Sequence, residues 1–255
     1  MDVVYKPDQT GGGMEESTFR GPMDLRITNA LRMIESVFVR AKTYKTDRPE
    51  AMRIYNYPIK AIRELLVNAV YHKSYEIGEP VTITITPTTI EFLNYPGPSR
   101  LLSDEDLQNN NLSVGTYRNS RVGEYLKKLK LAESRFTGIP SVVKSLESNG
   151  SPPLKIQTDP ERSYFKAILR IHPDFINENR NKTDTEILSE TRILNAIKDH
   201  GCMNMTDLST SLGYNDVSKK VRDATLKLMS DGVLEYLCHD KPRSPKQRIC
   251  LKNRR

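Results

Sequence analysis

The 255-residue chain has no tryptophan, six phenylalanines and three cysteines. It has no apolar run approaching the ~18 residues that a bilayer-spanning helix needs, which argues against a membrane protein. The start, Met1-Asp2-Val3-Val4, lacks the basic-then-apolar pattern of a secretory signal. Cys202, Cys238 and Cys250 are too few and too scattered for a disulfide framework. No C-x-x-C pair occurs, and His72, His172, His200 and His239 do not fall at metal-ligand spacing, so a structural zinc is not expected. Together these absences point to a protein of the reducing cytoplasm.

What is present begins with charge. The chain carries 39 Lys+Arg against 32 Asp+Glu, a formal +7. Residues 241–255 hold Lys241, Arg243, Lys246, Arg248, Lys252, Arg254 and Arg255 and no acid, so the preceding 240 residues are balanced. A mean hydropathy of −0.57 is that of a soluble globular chain, not of a disordered one. Basic charge confined to one end suggests a polyanionic partner.

Periodicity divides the chain. Residues 1–18, with Gly11-Gly12-Gly13 and Glu15-Glu16, show no period and read as flexible, or as the remnant of a preceding segment. Ile27, Leu31, Ile34 and Val37 recur at helical spacing. A second amphipathic helix follows Pro58 and runs to about His72. The period then drops to two: Val81, Ile83 and Ile85 alternate with threonines, and Ile90 to Leu93 completes a hairpin. Further helices are expected over 119–131 and 140–149, the latter closed by Gly150. A second hairpin is expected over 154–157 and 165–171. The polar residues 177–184 read as a linker between a first domain, 19–176, and a second, 185–255. The fold class is α+β.

In the second domain, helices around Ile193–Ile197, after an N-cap at Thr206, and over Val217–Met229 precede a hairpin with a basic loop. Helix, helix, helix, hairpin is the order of a winged helix-turn-helix domain. Its third helix would present Ser218, Lys219 and Arg222, with Thr225 beside them, to the major groove of duplex DNA. Lys241, Arg243 and Lys246 would meet the phosphates from the wing, with Arg248 on the strand that follows. Asp216 and Asp223 flank that helix and would repel phosphate.

The strongest motif lies in Glu64-Leu65-Leu66-Val67-Asn68-Ala69-Val70-Tyr71-His72-Lys73-Ser74-Tyr75. It resembles the E-x-x-x-N-A-x-x-H-x-x-Y signature of the RecG-related family of DNA-helicase C-terminal domains, a divergent branch of the GHKL ATPases. Ile90 to Gly97, Tyr117 to Ser120 and Glu133 to Pro140 resemble three further family motifs in the same order, so the likeness spans about residues 19–175. It implies a GHKL-like (Bergerat-type) α/β sandwich that binds ATP and Mg2+. Such proteins often carry a Schlafen-type AlbA domain ahead of this one and are associated with transcriptional regulation.

Glu64 and Asn68 stand four apart and share a helix face. The resemblance makes Glu64 the water-activating acid and Asn68 the Mg2+ ligand, roles that suit a proton-accepting carboxylate and a hard carboxamide oxygen. It makes His72, Asn94, Gly97, Thr137 and Gly138 further nucleotide contacts. Asn94 stands where the GHKL loop has an adenine-accepting Asp, Pro98 where a glycine is usual, and Phe136 where the lid has glycine. These departures imply a weak hydrolase at most. With no G-x-x-x-x-G-K-[ST] phosphate loop, helicase activity is not expected. The expected protein is a cytoplasmic DNA-binding transcriptional regulator with a degenerate ATP-binding domain, with homodimerisation as a further option. The alternative is an active Mg-dependent ATPase whose winged helix serves docking or dimerisation.

Overall fold

A computed structural model describes residues 1–7, 13–44, 52–110, 112, 118–129, 131, 138–176, 184–237 and 247–252. The chain falls into two compact units: residues 1–31 with 39–180, and residues 32–38 with 181–255. It is a mixed α+β protein. No helix among the described residues is long and apolar enough to cross a membrane.

The first unit is built on a six-stranded mixed sheet. Its strands are β1 (Asp2–Tyr5), β2 (Glu15–Thr18), β5 (Thr82–Ile85), β6 (Thr89–Asn94), β7 (Lys155–Gln157) and β8 (Phe165–Arg170), in the order β2-β1-β5-β6-β8-β7. All pairs are antiparallel except β1 with β5. Alternation decides which face is covered: along β6, Ile90, Phe92 and Asn94 are buried while Thr89, Glu91 and Leu93 are half-buried. Helix α2 (Ile59–His72) packs on β6, and α5 (Gly138–Asn149) packs on α2. α2 buries Ile62, Leu65, Leu66 and Val70 at the spacing of one helical stripe. Gly150, at φ +71°, ends α5 as expected.

Residues 1–18 do not behave as one flexible segment. Val3 and Tyr5 are 1% and 2% exposed, and β1 lies inside the sheet. The partner that secures it, β5, is some eighty residues away, so no local signal announces it. Three more elements lie in stretches to which the sequence reading assigned no element. Strands β3 (Ala41–Tyr44) and β4 (Met52–Tyr55) form a separate ribbon, and α3 (Asp104–Gln108) is started by a capping box between Ser103 and Asp106. Asn149 donates to the Tyr55 carbonyl at 2.7 Å and accepts from its N–H at 2.8 Å, as a neighbouring strand would. The first unit also contains part of α1 (Met23–Phe38) and all of α4 (Ser120–Lys128).

The second unit has α6 (Asp184–His200), α7 (Met205–Ser211), α8 (Lys219–Ser230), β9 (Leu234–Tyr236) and β10 (Ile249–Leu251). β9 and β10 are antiparallel, and Met203 bridges Ile249 on the other side of β10. The cap of α7 is Asn204, not Thr206: its Oδ1 accepts from the Asp207 N–H at 2.8 Å. Ile193, Ile197, Leu208, Val221, Leu228 and Ile249 form the core. Cys202 and Cys250 are joined by a disulfide: the cysteines, too few for a framework, still supply one cross-link. Two pairable cysteines 48 residues apart leave no sequence pattern. Of the residues 177–184 taken as a linker, 177–183 lie outside the described residues, and Asp184 already begins α6.

Candidate functional site

Three chain ends meet at one end of the α2–sheet layer. The Ser74 N–H, just past α2, donates to the Tyr95 carbonyl, just past β6, at 2.7 Å. Gly138, the first residue of α5, lies against the Asn68 side chain: a methyl there would sit 2.6 Å from Asn68 Nδ2 and 3.0 Å from its Oδ1. Glu64, Asn68 and His72 thus run along α2 toward the point where β6 ends at Asn94.

The polar atoms at this end are incompletely paired. Asn68 Nδ2 and Asn94 Nδ2 are both shielded from solvent and have no hydrogen-bond partner among the described residues. Asn94 as a whole is only 2% exposed, and Glu64 is 7% exposed. Buried amide donors are nearly always satisfied, since leaving one unpaired costs about 1–3 kcal/mol. Ser141 Oγ, in the first turn of α5, is likewise shielded and unpaired, so with buried Glu64 this end of the layer is polar.

The surrounding residues hold this end in place. Asn119, next to α4, donates its amide to the carbonyls of Tyr71 (2.9 Å) and Lys73 (2.6 Å), closing the C-terminus of α2. Gly123 lets α4 approach the Tyr71 ring, where a methyl would come within 2.7 Å of Cε2. Sequence reasoning placed Asn119 in a motif without assigning it this role. A lone Asn beside a helix start carries no mark of the distant helix whose end it closes.

The other expected contacts sort differently. Gly97 does not offer its N–H to a ligand. It donates to the Arg162 carbonyl at 2.9 Å, and a methyl at Gly97 would lie 2.6 Å from the Tyr164 carbonyl oxygen and closer still to that of Arg162. The glycine is needed because the loop after β6 runs against the backbone of the β7–β8 turn. Gly97→Ala is therefore expected to destabilise the first unit by about 1–3 kcal/mol, read as a lowered denaturant midpoint. An unchanged midpoint would show that the turn can move aside. Arg162 reinforces that turn from φ +58°, with its guanidinium 2.6 Å from Asp104 Oδ1 and 3.2 Å from the Leu102 carbonyl.

His72 closes α2 with its ring tilted against Tyr71, centroids 5.1 Å apart. Packing around the imidazole and then the Arg118 guanidinium hold its pKa below the ordinary range, although the residue keeps solvent access. The Lys73 ammonium is used locally, donating to the carbonyls of Ser74 and Ile77 at 3.0 Å and to that of Glu79. Thr137 lies outside the described residues.

In the second unit, Lys219 and Arg222 are exposed on α8 beside Lys220, with Asp223 also exposed. Ser218 is the N-cap, its Oγ accepting from the Val221 N–H at 3.2 Å. Thr225 is not on the outward face: it is fully buried and donates to the Val221 carbonyl at 2.7 Å. Lys227 is paired with buried Glu190 at 2.6 Å. Arg248 is exposed just before β10, while Lys241, Arg243 and Lys246 lie outside the described residues.

No family model and no curated protein matches the chain. Among solved structures, that of the DIP2311 protein from Corynebacterium diphtheriae is similar in fold, with a TM-score of 0.56 at 12% identity. The similarity covers 99% of this chain and 51% of that one, so the chain spans about half the length of that protein.

Proposed function

We propose that the first unit is a divergent GHKL-type module that binds a purine nucleotide, ATP with Mg2+, and that the second is a winged helix that binds duplex DNA. The observation that carries the nucleotide reading is that Asn68, seated against the start of α5, and Asn94, at the end of the strand on which α2 packs, both hold shielded, unpartnered amide nitrogens. The residues fit the implied groups. The Asn68 carboxamide oxygen is a hard donor suited to Mg2+, and its nitrogen can donate to a phosphoryl oxygen. Bound Mg2+ would supply charge neutralisation at the phosphates. Supporting the second half is the run of exposed Lys219, Lys220 and Arg222 at the start of α8, in the unit that also holds the basic C-terminus. On this reading the protein is a transcriptional regulator, dimeric or monomeric, in which nucleotide occupancy sets DNA affinity.

Thermal unfolding of the intact chain with and without Mg-ADP tests the site. The wild type should be stabilised by ligand. Asn68→Ala should weaken binding by about tenfold or more, since it removes one polar contact worth about 1–3 kcal/mol. An equal shift in wild type and Asn68→Ala would remove Asn68 from the site. The rival reading, an active ATPase with a docking domain, is favoured by the buried Glu64 four residues before Asn68. It requires a measurable phosphate release that Glu64→Ala abolishes while Mg-ADP still binds.

A further inference from the structure

The hairpin from which the basic loop springs is fastened to the helices of the second unit by the Cys202–Cys250 bond. Cys250 lies in β10 and Cys202 in the turn between α6 and α7. Beside the bond, Met203 and Ile249 exchange two backbone hydrogen bonds, and the Leu237 N–H donates to the Arg248 carbonyl at 2.8 Å, closing the base of the hairpin. The two cysteines are unequally covered: Cys250 is 7% exposed, whereas Cys202 is half-buried in its turn. Arg248 and Lys252 stand two residues either side of Cys250, on its face of the ladder, with Glu235 directly across from it. The Arg248 guanidinium also reaches the Cys202 carbonyl at 3.4 Å. Two cations beside the pair favour the thiolate on which disulfide exchange depends.

Resting on the DNA reading above, we propose that the Cys202–Cys250 bond is a reversible redox switch for the second unit. Oxidised, it holds the basic hairpin where it meets a polyanion; reduced, it lets the hairpin loosen and affinity fall. The reductant is a dithiol. Its thiolate attacks Cys202 Sγ from the accessible side, which breaks the S–S bond, forms a mixed disulfide at Cys202 and expels Cys250 as a thiolate that takes up a proton. The second thiol of the reductant then displaces Cys202. Two electrons and two protons pass to the pair, and the dithiol leaves as a disulfide. The backbone bonds between Met203 and Ile249 keep the two thiols adjacent, so that exchange with a disulfide oxidant re-forms the bond.

Fluorescence anisotropy of labelled duplex DNA with the intact Cys238→Ser chain tests this before reduction, after dithiothreitol, and after re-oxidation with glutathione disulfide. Alkylation followed by intact mass counts the thiols at each stage. Affinity should fall about tenfold or more as the Cys202 and Cys250 thiols appear, through lost phosphate contacts, and should return as they vanish. Cys202→Ser/Cys250→Ser should stay at the reduced value in every buffer; if that variant does not fold, the reduction cycle on the native pair carries the test. Equal affinity in both states overturns the proposal. So does a bond that dithiothreitol leaves intact in the folded protein, or a loss of affinity that re-oxidation does not reverse. Absence of duplex binding in either state overturns the DNA reading itself, a result distinct from binding that ignores the redox state.

Discussion

Replacing Lys241, Arg243 and Lys246 together by glutamine is expected to lower affinity for duplex DNA by about a hundredfold or more at low salt. Each phosphate contact releases condensed counterions, so three lost contacts should also flatten the slope of log affinity against log salt by about three. Fluorescence anisotropy at several salt concentrations reads both quantities. Deleting residues 241–255 is a poorer experiment, because it also removes β10 and Cys250, which belong to the fold of the second unit. If the triple variant binds as the wild type does, with the same slope, the basic loop is not where the unit meets a polyanion. Lys219→Gln with Arg222→Gln would then ask whether α8 carries the contact instead.

The second large effect concerns Cys202 and Cys250. The bond between them closes a 48-residue separation, for which chain entropy gives about 4 kcal/mol of stabilisation. It ties β10 to the turn between α6 and α7, where Met203 already exchanges backbone hydrogen bonds with Ile249 at 3.1 and 2.7 Å. Reduction, or the Cys202→Ser/Cys250→Ser double variant, should therefore destabilise the second unit by most of that amount. Hydrogen exchange over residues 184–237 should accelerate while the sheet of the first unit stays protected. Equal exchange with and without reductant, or ready alkylation of both thiols in the untreated protein, would show that the bond does not hold the unit together.

How much of this was legible in the sequence depends on how local each element is. α2 was readable from Ile62, Leu65, Leu66 and Ala69, and the β5–β6 hairpin from isoleucines alternating with threonines, because those patterns repeat within a few residues. The α6–α7–α8–β9–β10 order followed for the same reason. β1 was not readable, since Val3 and Tyr5 acquire their meaning only from a parallel partner at Thr82–Ile85. The β3–β4 ribbon escaped because Ile54 alone of its residues is buried, too little to set a pattern over two four-residue strands. α3 was within reach: Ser103-Asp104-Glu105-Asp106 has the spacing of a capping box.

The site divides along the same line. The motif placed Glu64, Asn68 and Gly138 together, and the structure seats Gly138 on the Asn68 amide. Gly97 was misread, because a glycine required by the carbonyls of Arg162 and Tyr164 looks the same in sequence as one required by a phosphate. Arg162 at a positive φ was unreadable, since a long charged residue gives no hint of left-handed backbone. Thr225 was misplaced by one helical step: the stripe that buries Val221 and Leu228 is wide enough to take it in.

The central claim is that the meeting point of α2, β6 and α5 is a nucleotide site, and calorimetric titration of Mg-ADP into the intact chain tests it most directly. The account predicts saturable binding at one site per chain, weakened about tenfold or more by Asn68→Ala. A titration of the folded wild-type protein with no heat beyond dilution, and no change in its unfolding temperature with Mg-ADP, would contradict it.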